Sequence, residues 1–470
     1  MTRFHPPASL DVATLLESTG GELALGSSEG RWTLCTDSRE MRDGALFVAL
    51  RGDHFDGHKF VADVLGSWRA GALVESVPSA LSSAQGPVIQ VPDSLIAFGA
   101  AAGSLLAEQR VPVAGVTGSV GKTTTRAMLA SIMSQRGVGL CTEGNFNNRI
   151  GLPLTVLGLE PQHEWVVLEM GMSEPGEIRA LSEIAKPQVR VITTVSAGHL
   201  EFFGSVEGIA AAKGELFESA GSGDTLVFPA GQWFSDLLPR PEGAAVVTFT
   251  TDPEQQADLR LIRWENLGLG GSRASLDLDG KLCDIELPVA GFHQVHNALA
   301  AAGAALAMGA TVAEIQAGLA GVDLPGRRMR IDEIAGVTVL DDAYNANPAS
   351  VTAALETLGA LEGTGRRIAV LGDMLELGGT ADDLHAEVGR TAAGCGVDLL
   401  IATGPLMAHA VQTAISGGLE AVSVSDSDAA GTLLRERVEP GDTVLFKGSR
   451  GMKMERAIDA LGPALPTEGS

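Results

Sequence analysis

The sequence predicts an α/β protein of three domains, and three observations predict it. Short apolar runs alternate with helical segments along most of the chain, one such run ends in a Gly-rich turn that opens a helix, and 470 residues suffice for about three cores. With 45% apolar and 19% charged residues, the composition is that of globular material. Residues 1–107 carry the runs Ala45 to Leu50, Ala72 to Val74 and Val88 to Val91 between Gly, Asp and Ser turns, then an apolar helix from Ile96 to Glu108; they read as a small α/β domain. Residues 108–325 open on a buried strand, Val111 to Thr117, which runs into the Gly-rich turn and a helix from Thr123 to Gln135. Further runs at Trp165 to Leu168 and Val189 to Val195 imply a P-loop-type, mostly parallel sheet covered on both faces, closed by an Ala-rich helix from Asn297 to Met308. After Pro325-Gly326, runs at Val337 to Leu340, Ile368 to Leu371, Leu399 to Thr403 and Thr443 to Phe446 make residues 326–470 a Rossmann-like α/β domain, with a frayed tail from Pro466.

Composition excludes several classes of function. A formal charge of −25 argues against a nucleic-acid partner, because phosphate-backbone binding needs clustered Lys and Arg. Cys35, Cys141, Cys283 and Cys395 form no CxxC pair, so neither a zinc site nor a disulfide framework is suggested. The start, Met1 to Pro7, lacks a signal-peptide core, and no run of 18 apolar residues follows. The expectation is a soluble, cytoplasmic monomer without membrane insertion.

The chemistry centres on Thr117-Gly118-Ser119-Val120-Gly121-Lys122-Thr123-Thr124. Backbone N–H groups of a Gly-rich turn at a helix start form an anion nest, and the adjoining Lys122 can reach outer phosphates. Val116 stands where the general Walker spacing has its first Gly, so the strict pattern fails while the strand context supports phosphate binding. An ATP loop needs magnesium, and a carboxylate at a strand end is the expected further ligand. Glu169 is so placed, though a surface Glu capping the next helix is the plainer reading. His199 and Glu201 follow the Val189 run, where a packed histidine is commoner than a ligand. Lys213 taken alone is an ordinary solvent-facing helical lysine.

Thr117 to Thr124, then His199, then Ala212-Lys213-x-x-Leu216-Phe217, together resemble the Mur ligase family, amino-acid-adding enzymes of peptidoglycan synthesis. Gly291-Phe292-His293-x-x-His296-Asn297-Ala298 is similar to the family's Gly-x-His-Asn-x-x-Asn-Ala segment, with Gln294 in place of its first Asn. The segments Gly144 to Pro153, Asp341 to Pro348, Leu371 to Gly378 with His385, and Lys447 to Glu455 resemble the branch that adds D-alanyl-D-alanine to UDP-N-acetylmuramoyl-tripeptide. Another Mur-type ligase, a folylpolyglutamate-synthase-like ligase and a non-catalytic nucleotide-dependent switch are the alternatives.

The resemblance implies an ATP-dependent ligase of cell-wall synthesis with two Mg²⁺ sites. It makes Lys213 a carbamylated lysine that supports metal beside Glu169 and His199, and gives Thr123 the first magnesium. It assigns Asn297 to the adenine, Asp342 to the ribose, and Arg327, with Arg328 as fallback, to the phosphates. Without it, Asp342 could as well be a helix N-cap. In domain one, Ser38 and Arg39 of Asp37-Ser38-Arg39, and Asp56, Gly57 and His58 of the segment from His54, resemble the residues that bind uridine diphosphate. Asn145, Asn147, Asn148, Tyr344, Asn345 and Asn347 fall to the substrate. Lys447, Ser449 and Arg450 fall to the dipeptide carboxylate, although that turn could equally be an exposed basic one.

Overall fold

The computed structural model describes residues 8–52, 55–79, 81–198, 200–361 and 365–462; His54, His199 and the tail from Pro466 lie outside them. Among the described residues three large sheets follow one another along the chain, and Arg51–Gly52 pairs with Phe55–Asp56 as a small two-stranded one. The first runs in the order Leu10–Asp11, Arg31–Cys35, Ala45–Val48, Gly71–Val74, Val88–Gln90, Glu22–Leu25, with its inner pairs parallel and both outer pairs antiparallel. The third places Arg330–Ile334 antiparallel beside Val337–Asp341, then Thr443–Lys447, Arg367–Gly372, Leu399–Thr403 and Glu420–Val424, all parallel.

The central sheet has nine strands. Gly139–Cys141, Trp165–Glu169, Val113–Thr117, Val189–Ile192, Thr225–Pro229, Ala245–Thr250 and Leu259–Asn266 are parallel neighbours. Every residue of Val113–Thr117 and Trp165–Glu169 is buried, as helices on both faces require, and such strands read as continuous apolar runs. The sheet ends differently from the expectation: Ser272–Leu278 and Lys281–Leu287 add an antiparallel edge. Those strands alternate buried and exposed residues, so their polar half hid them from a search for apolar runs. The Ala-rich helix is His293–Ala307, and it does not close the domain. Val312–Ala320 follows, started by a capping box between Thr311 and Glu314.

The first sheet is joined to the central one through the helix Ser94–Gln109, capped by Asp93, whose carboxylate accepts from the Leu95 and Ile96 amides. It lies against the helix Glu177–Ala185 so closely that a Cβ on Gly103 would sit 2.7 Å from the Ile184 carbonyl oxygen. One apolar cluster accordingly runs from Leu34 and Leu73 through Phe98 to Leu168 and Phe217.

Candidate active site

Val113–Thr117 has Trp165–Glu169 on one side and Val189–Ile192 on the other, with Val116 opposite Glu169 and Thr117 opposite Ile192. The chain leaves Val113–Thr117 toward Gly139–Cys141 on one side and leaves the adjacent Val189–Ile192 toward Thr225–Pro229 on the other, which opens a crevice at the strands' carboxyl ends, where open α/β sheets take ligands. The Gly-rich loop is stapled there to the neighbouring strand end. Ser119 N donates to the Thr194 carbonyl at 2.8 Å, Val120 N to Thr194 Oγ1 at 3.0 Å, and Ser119 Oγ to the Ser196 carbonyl at 3.0 Å. Gly121, at φ +87°, caps the helix Lys122–Met133 and lies against Asn297, whose Oδ1 a Cβ would overlap. A helix start carries amides without intrahelical acceptors, so this one presents donors to an anion in the cleft. Lys122 Nζ meanwhile donates to the Gly118 carbonyl at 2.7 Å.

Glu169 is 2% exposed and turns toward the loop rather than capping a helix. Its Oε2 accepts from Thr123 Oγ1 at 2.8 Å and its Oε1 from Asn147 Nδ2 at 2.9 Å, with Arg126 Nε 3.6 Å away. Lys213, on the helix Val206–Glu218, is 2% exposed rather than solvent-facing. Burial drives its amine well below the usual lysine range, and the nearby Lys122 charge pushes the same way. Lys122 is lowered by burial too, against the opposing pull of Glu169. Among the described residues no three His, Cys, Asp or Glu side chains converge as a metal cage. The pair of Thr123 hydroxyl and Glu169 carboxylate nevertheless fits magnesium, which takes few protein oxygens and completes its shell with water and phosphate.

The opposite wall comes from the third sheet. Arg328, Asp342, Tyr344, Asn345, Asn347 and Lys447 meet Ser119 to Thr123, Asn145, Asn147, Asn148, Glu169 and Lys213 around a cleft of about 360 Å³. Asp342 is no N-cap: Lys447 Nζ lies 2.5 Å from its Oδ2, and Met329 N donates to its Oδ1 at 3.2 Å. The cap of the helix Pro348–Gly359 is Asn347, paired with Ser350, and its amide nitrogen reaches the Ser119 carbonyl at 3.4 Å across the cleft. Lys447 is 3% exposed, so it is a cleft residue and not part of an exposed basic turn. Of the two arginines, Arg328 lines the cleft, stacked 4.4 Å from the Tyr344 ring centroid. Arg327, the expected phosphate ligand, is turned aside because the strand-end carboxylate of Asp341 binds it at 2.9 Å.

Other expected site residues lie elsewhere. Thr117 and Thr124 are buried in the loop's footing, and Asn297 is buried behind the loop, its Nδ2 donating to Gln294 at 3.0 Å. Ser449 is buried, its Oγ accepting from the Leu375 amide, while exposed Arg450 pairs with Glu455 at 2.8 Å. Neither lines the cleft. Nor do the residues of domain one: Arg39 is held by Asp37, Ser38 opens the short helix that Asp37 caps, and Asp56 caps the turn Gly57–Phe60. Both ring nitrogens of His58 are engaged, Nδ1 with Asp56 at 2.8 Å and Nε2 accepting from the Glu75 amide at 2.9 Å. Ser173, Glu177 and Ser350 also line the cleft, and Thr193 and Thr194 brace the loop; no sequence motif marked them. The two threonines carried one signal, their place directly after a central strand.

Comparison with known proteins places this geometry. The Mur ligase middle domain matches residues 116–305, the Mur ligase glutamate ligase domain 326–450, and the Mur ligase family catalytic domain 33–101. The UDP-N-acetylmuramoyl-tripeptide--D-alanyl-D-alanine ligase of Escherichia coli is 35% identical over 96% of this chain and 98% of its own. Among solved structures, MurF from Acinetobacter baumannii superposes with a TM-score of 0.88 at 29% identity, over 97% of this chain and 99% of its own. The MurF ligase from Thermotoga maritima in complex with ADP gives 0.80 at 29% identity, over 91% and 96%. With Mur ligase domains laid along all three sheets and a full-length relative at this identity, the chain belongs to the Mur ligase family.

Proposed function

We propose that this enzyme joins D-alanyl-D-alanine to the carboxylate of UDP-N-acetylmuramoyl-tripeptide at the expense of ATP, giving the pentapeptide precursor of the cell wall, ADP and phosphate. The observation that carries the reading is the cleft in which the phosphate loop, Glu169 and buried Lys213 face Asp342 and Lys447. Its kinship along the full chain to a ligase of that name supports the choice of substrates.

A carboxylate is a poor acylating agent, so the tripeptide carboxylate first attacks the γ-phosphorus of ATP, forming an acyl phosphate as ADP leaves. The dipeptide amine then attacks the acyl carbon, phosphate departs, and the amine loses a proton to solvent. The protein's share is positioning and neutralisation of charge. The amides at Gly121 to Thr123 and the Lys122 ammonium, released from the Gly118 carbonyl, hold the phosphates. Thr123 and Glu169 would hold one Mg²⁺. Lys213, as a carbamate, would support a second with His199. When bound there, magnesium would supply neutralisation of the phosphate charge. Burial favours the neutral amine of Lys213, the form that adds carbon dioxide. Asp342 takes the ribose, Asn297 the adenine side, and Arg328, with Arg327 as the second candidate, the phosphates. Ser38, Arg39, Asp56, Gly57 and His58 serve the uridine diphosphate end, and Lys447, Ser449 and Arg450 the dipeptide.

We place the enzyme in the cytoplasm as a monomer; among the described residues no helix is long and apolar enough to cross a membrane. The three domains, divided near residues 108 and 325, close on the substrates by rotation about those linkers. Small-angle scattering unchanged by an ATP analogue plus substrate would count against closure. The deciding test offers UDP-muramoyl dipeptide, tripeptide and tetrapeptide with D-alanyl-D-alanine and reads products by mass spectrometry. Tripeptide alone is expected to be extended, with ADP formed only when both substrates are present. Steady ADP release without them would favour a nucleotide-dependent switch.

A further inference from the structure

We propose that Glu215 is a positioning residue that fixes one wall of the cleft relative to Lys213, by supplying a complete helix cap from a neighbouring helix. The inference rests on the ligase reading above. The helix Glu177–Ala185 starts at Gly176, at φ +89°, which has no side chain with which to cap it. Its third helical residue is Arg179, which cannot accept a hydrogen bond. Both halves of an ordinary capping box are therefore missing from the local sequence.

Glu215 provides them. Its Oε2 accepts from the Arg179 amide at 3.0 Å, the bond an N-cap side chain would make, and its Oε1 accepts from the Gly176 amide at 2.8 Å, the bond a glutamate in the third position would make. The carboxylate is 6% exposed. Two N–H donors, the positive end of the helix and the Arg179 guanidinium at 3.6 Å offset its loss of water.

The consequence for the cleft follows from helical geometry. Residues two apart on the helix Val206–Glu218 project about 200° apart, so Lys213 faces the cleft while Glu215 reaches the next helix. The segment that Glu215 anchors begins at Glu169 and lines the cleft through Gly171, Met172, Ser173 and Glu177. It is stiff along its length: Gly171 N donates to the Asn147 carbonyl at 2.8 Å, and the Ser173 and Glu174 amides donate to Glu177 Oε2 at 2.6 and 3.0 Å. The far end of the Lys213 helix is pinned as well, by Arg190 to the Leu216 carbonyl at 2.7 Å and Ser219 Oγ at 2.8 Å. Glu215 thus couples the Glu169 wall to the helix that carries Lys213.

The test compares the full chain with Glu215→Gln and Glu215→Ala, using Arg179→Ala as a control that removes the guanidinium's pairs with Glu215 and, at 2.7 Å, with Glu218 but leaves both backbone amides capped. Gln keeps the size but sets an NH₂ against one of the two amides. Hydrogen exchange is read over residues 171–179, and steady-state kinetics with ATP, the UDP-muramoyl tripeptide and D-alanyl-D-alanine. Glu215→Gln is expected to speed exchange in that segment alone and to lower kcat about tenfold or more, with KM for ATP within about twofold, as for a small misplacement of reacting groups. Arg179→Ala should stay near the parent. Unchanged exchange would overturn the cap, and faster exchange with unchanged kcat would overturn the positioning role. An unmutated chain that makes no pentapeptide would overturn the ligase reading and the positioning role with it, while the exchange data would still decide the cap.

Discussion

Thr123 and Glu169 are joined by a hydrogen bond of 2.8 Å, Oγ1 donating to Oε2, across 46 residues of sequence. The hydroxyl that opens the phosphate-loop helix is thereby tied to the end of the adjacent parallel strand. Donating its proton to the carboxylate leaves the hydroxyl's lone pairs for a cation.

Thr123→Val keeps the side-chain shape and removes that oxygen. It is expected to lower kcat/KM on the order of 100-fold and to raise the magnesium concentration needed for half-maximal rate. Glu169→Gln should behave alike, and the double variant should fall little below either single one, because the two groups act as a unit. A magnesium titration followed by ADP release checks this. A Thr123→Val enzyme with the parent's magnesium dependence would remove the metal role.

Gly121 combines φ +87° with contact to the Asn297 carboxamide. Gly121→Ala should destabilise the protein by about 1–3 kcal/mol through backbone strain and overlap. Adding Asn297→Ala should recover the overlap part only, since the strain is intrinsic to the backbone. Urea unfolding of the two variants measures the recovery.

Lys213 has a folded-state pKa depressed by burial, so the unfolded chain binds more protons than the folded one at neutral pH. Stability from this group therefore rises with pH from the depressed folded value toward the ordinary lysine value, and falls as pH drops through that window. Lys213→Met, in buffer free of carbon dioxide, should gain stability over the parent at pH 7 and lose most of that advantage by pH 10. Added bicarbonate should narrow the gap at pH 7 by capturing the parent's neutral amine. Urea midpoints at the two pH values decide it. Full activity in Lys213→Ala would sink the metal-supporting role.

Arg328 and Arg327 separate by partner. Arg328 lines the cleft over Tyr344, whereas Arg327 is bound to Asp341. Arg328→Ala should lower kcat/KM about tenfold or more with little change in unfolding midpoint. Arg327→Ala, which strips the partner from buried Asp341, should cost about 1–3 kcal/mol of stability. Kinetics and melts on the pair would show whether Arg327 swings to the phosphates instead.

Some of this protein could be read from its order of residues because parallel strands buried on both faces must be apolar throughout. Val113 to Thr117, Trp165 to Leu168 and Leu399 to Thr403 announce themselves that way, and the Gly-rich turn after the first of them marks the helix that receives phosphate. The half-solvated strands Ser272–Leu278 and Lys281–Leu287 do not, because alternation with polar residues dilutes the signal. By itself the sequence determined three α/β units, the phosphate loop and the family resemblance. Tertiary structure decided the rest: Glu169 meets Thr123 because parallel register aligns strand ends, and Arg328 rather than Arg327 faces the cleft because Asp341 claims its neighbour. Glu215 caps a helix about forty residues away, since a hydrogen bond depends on distance in space and not along the chain.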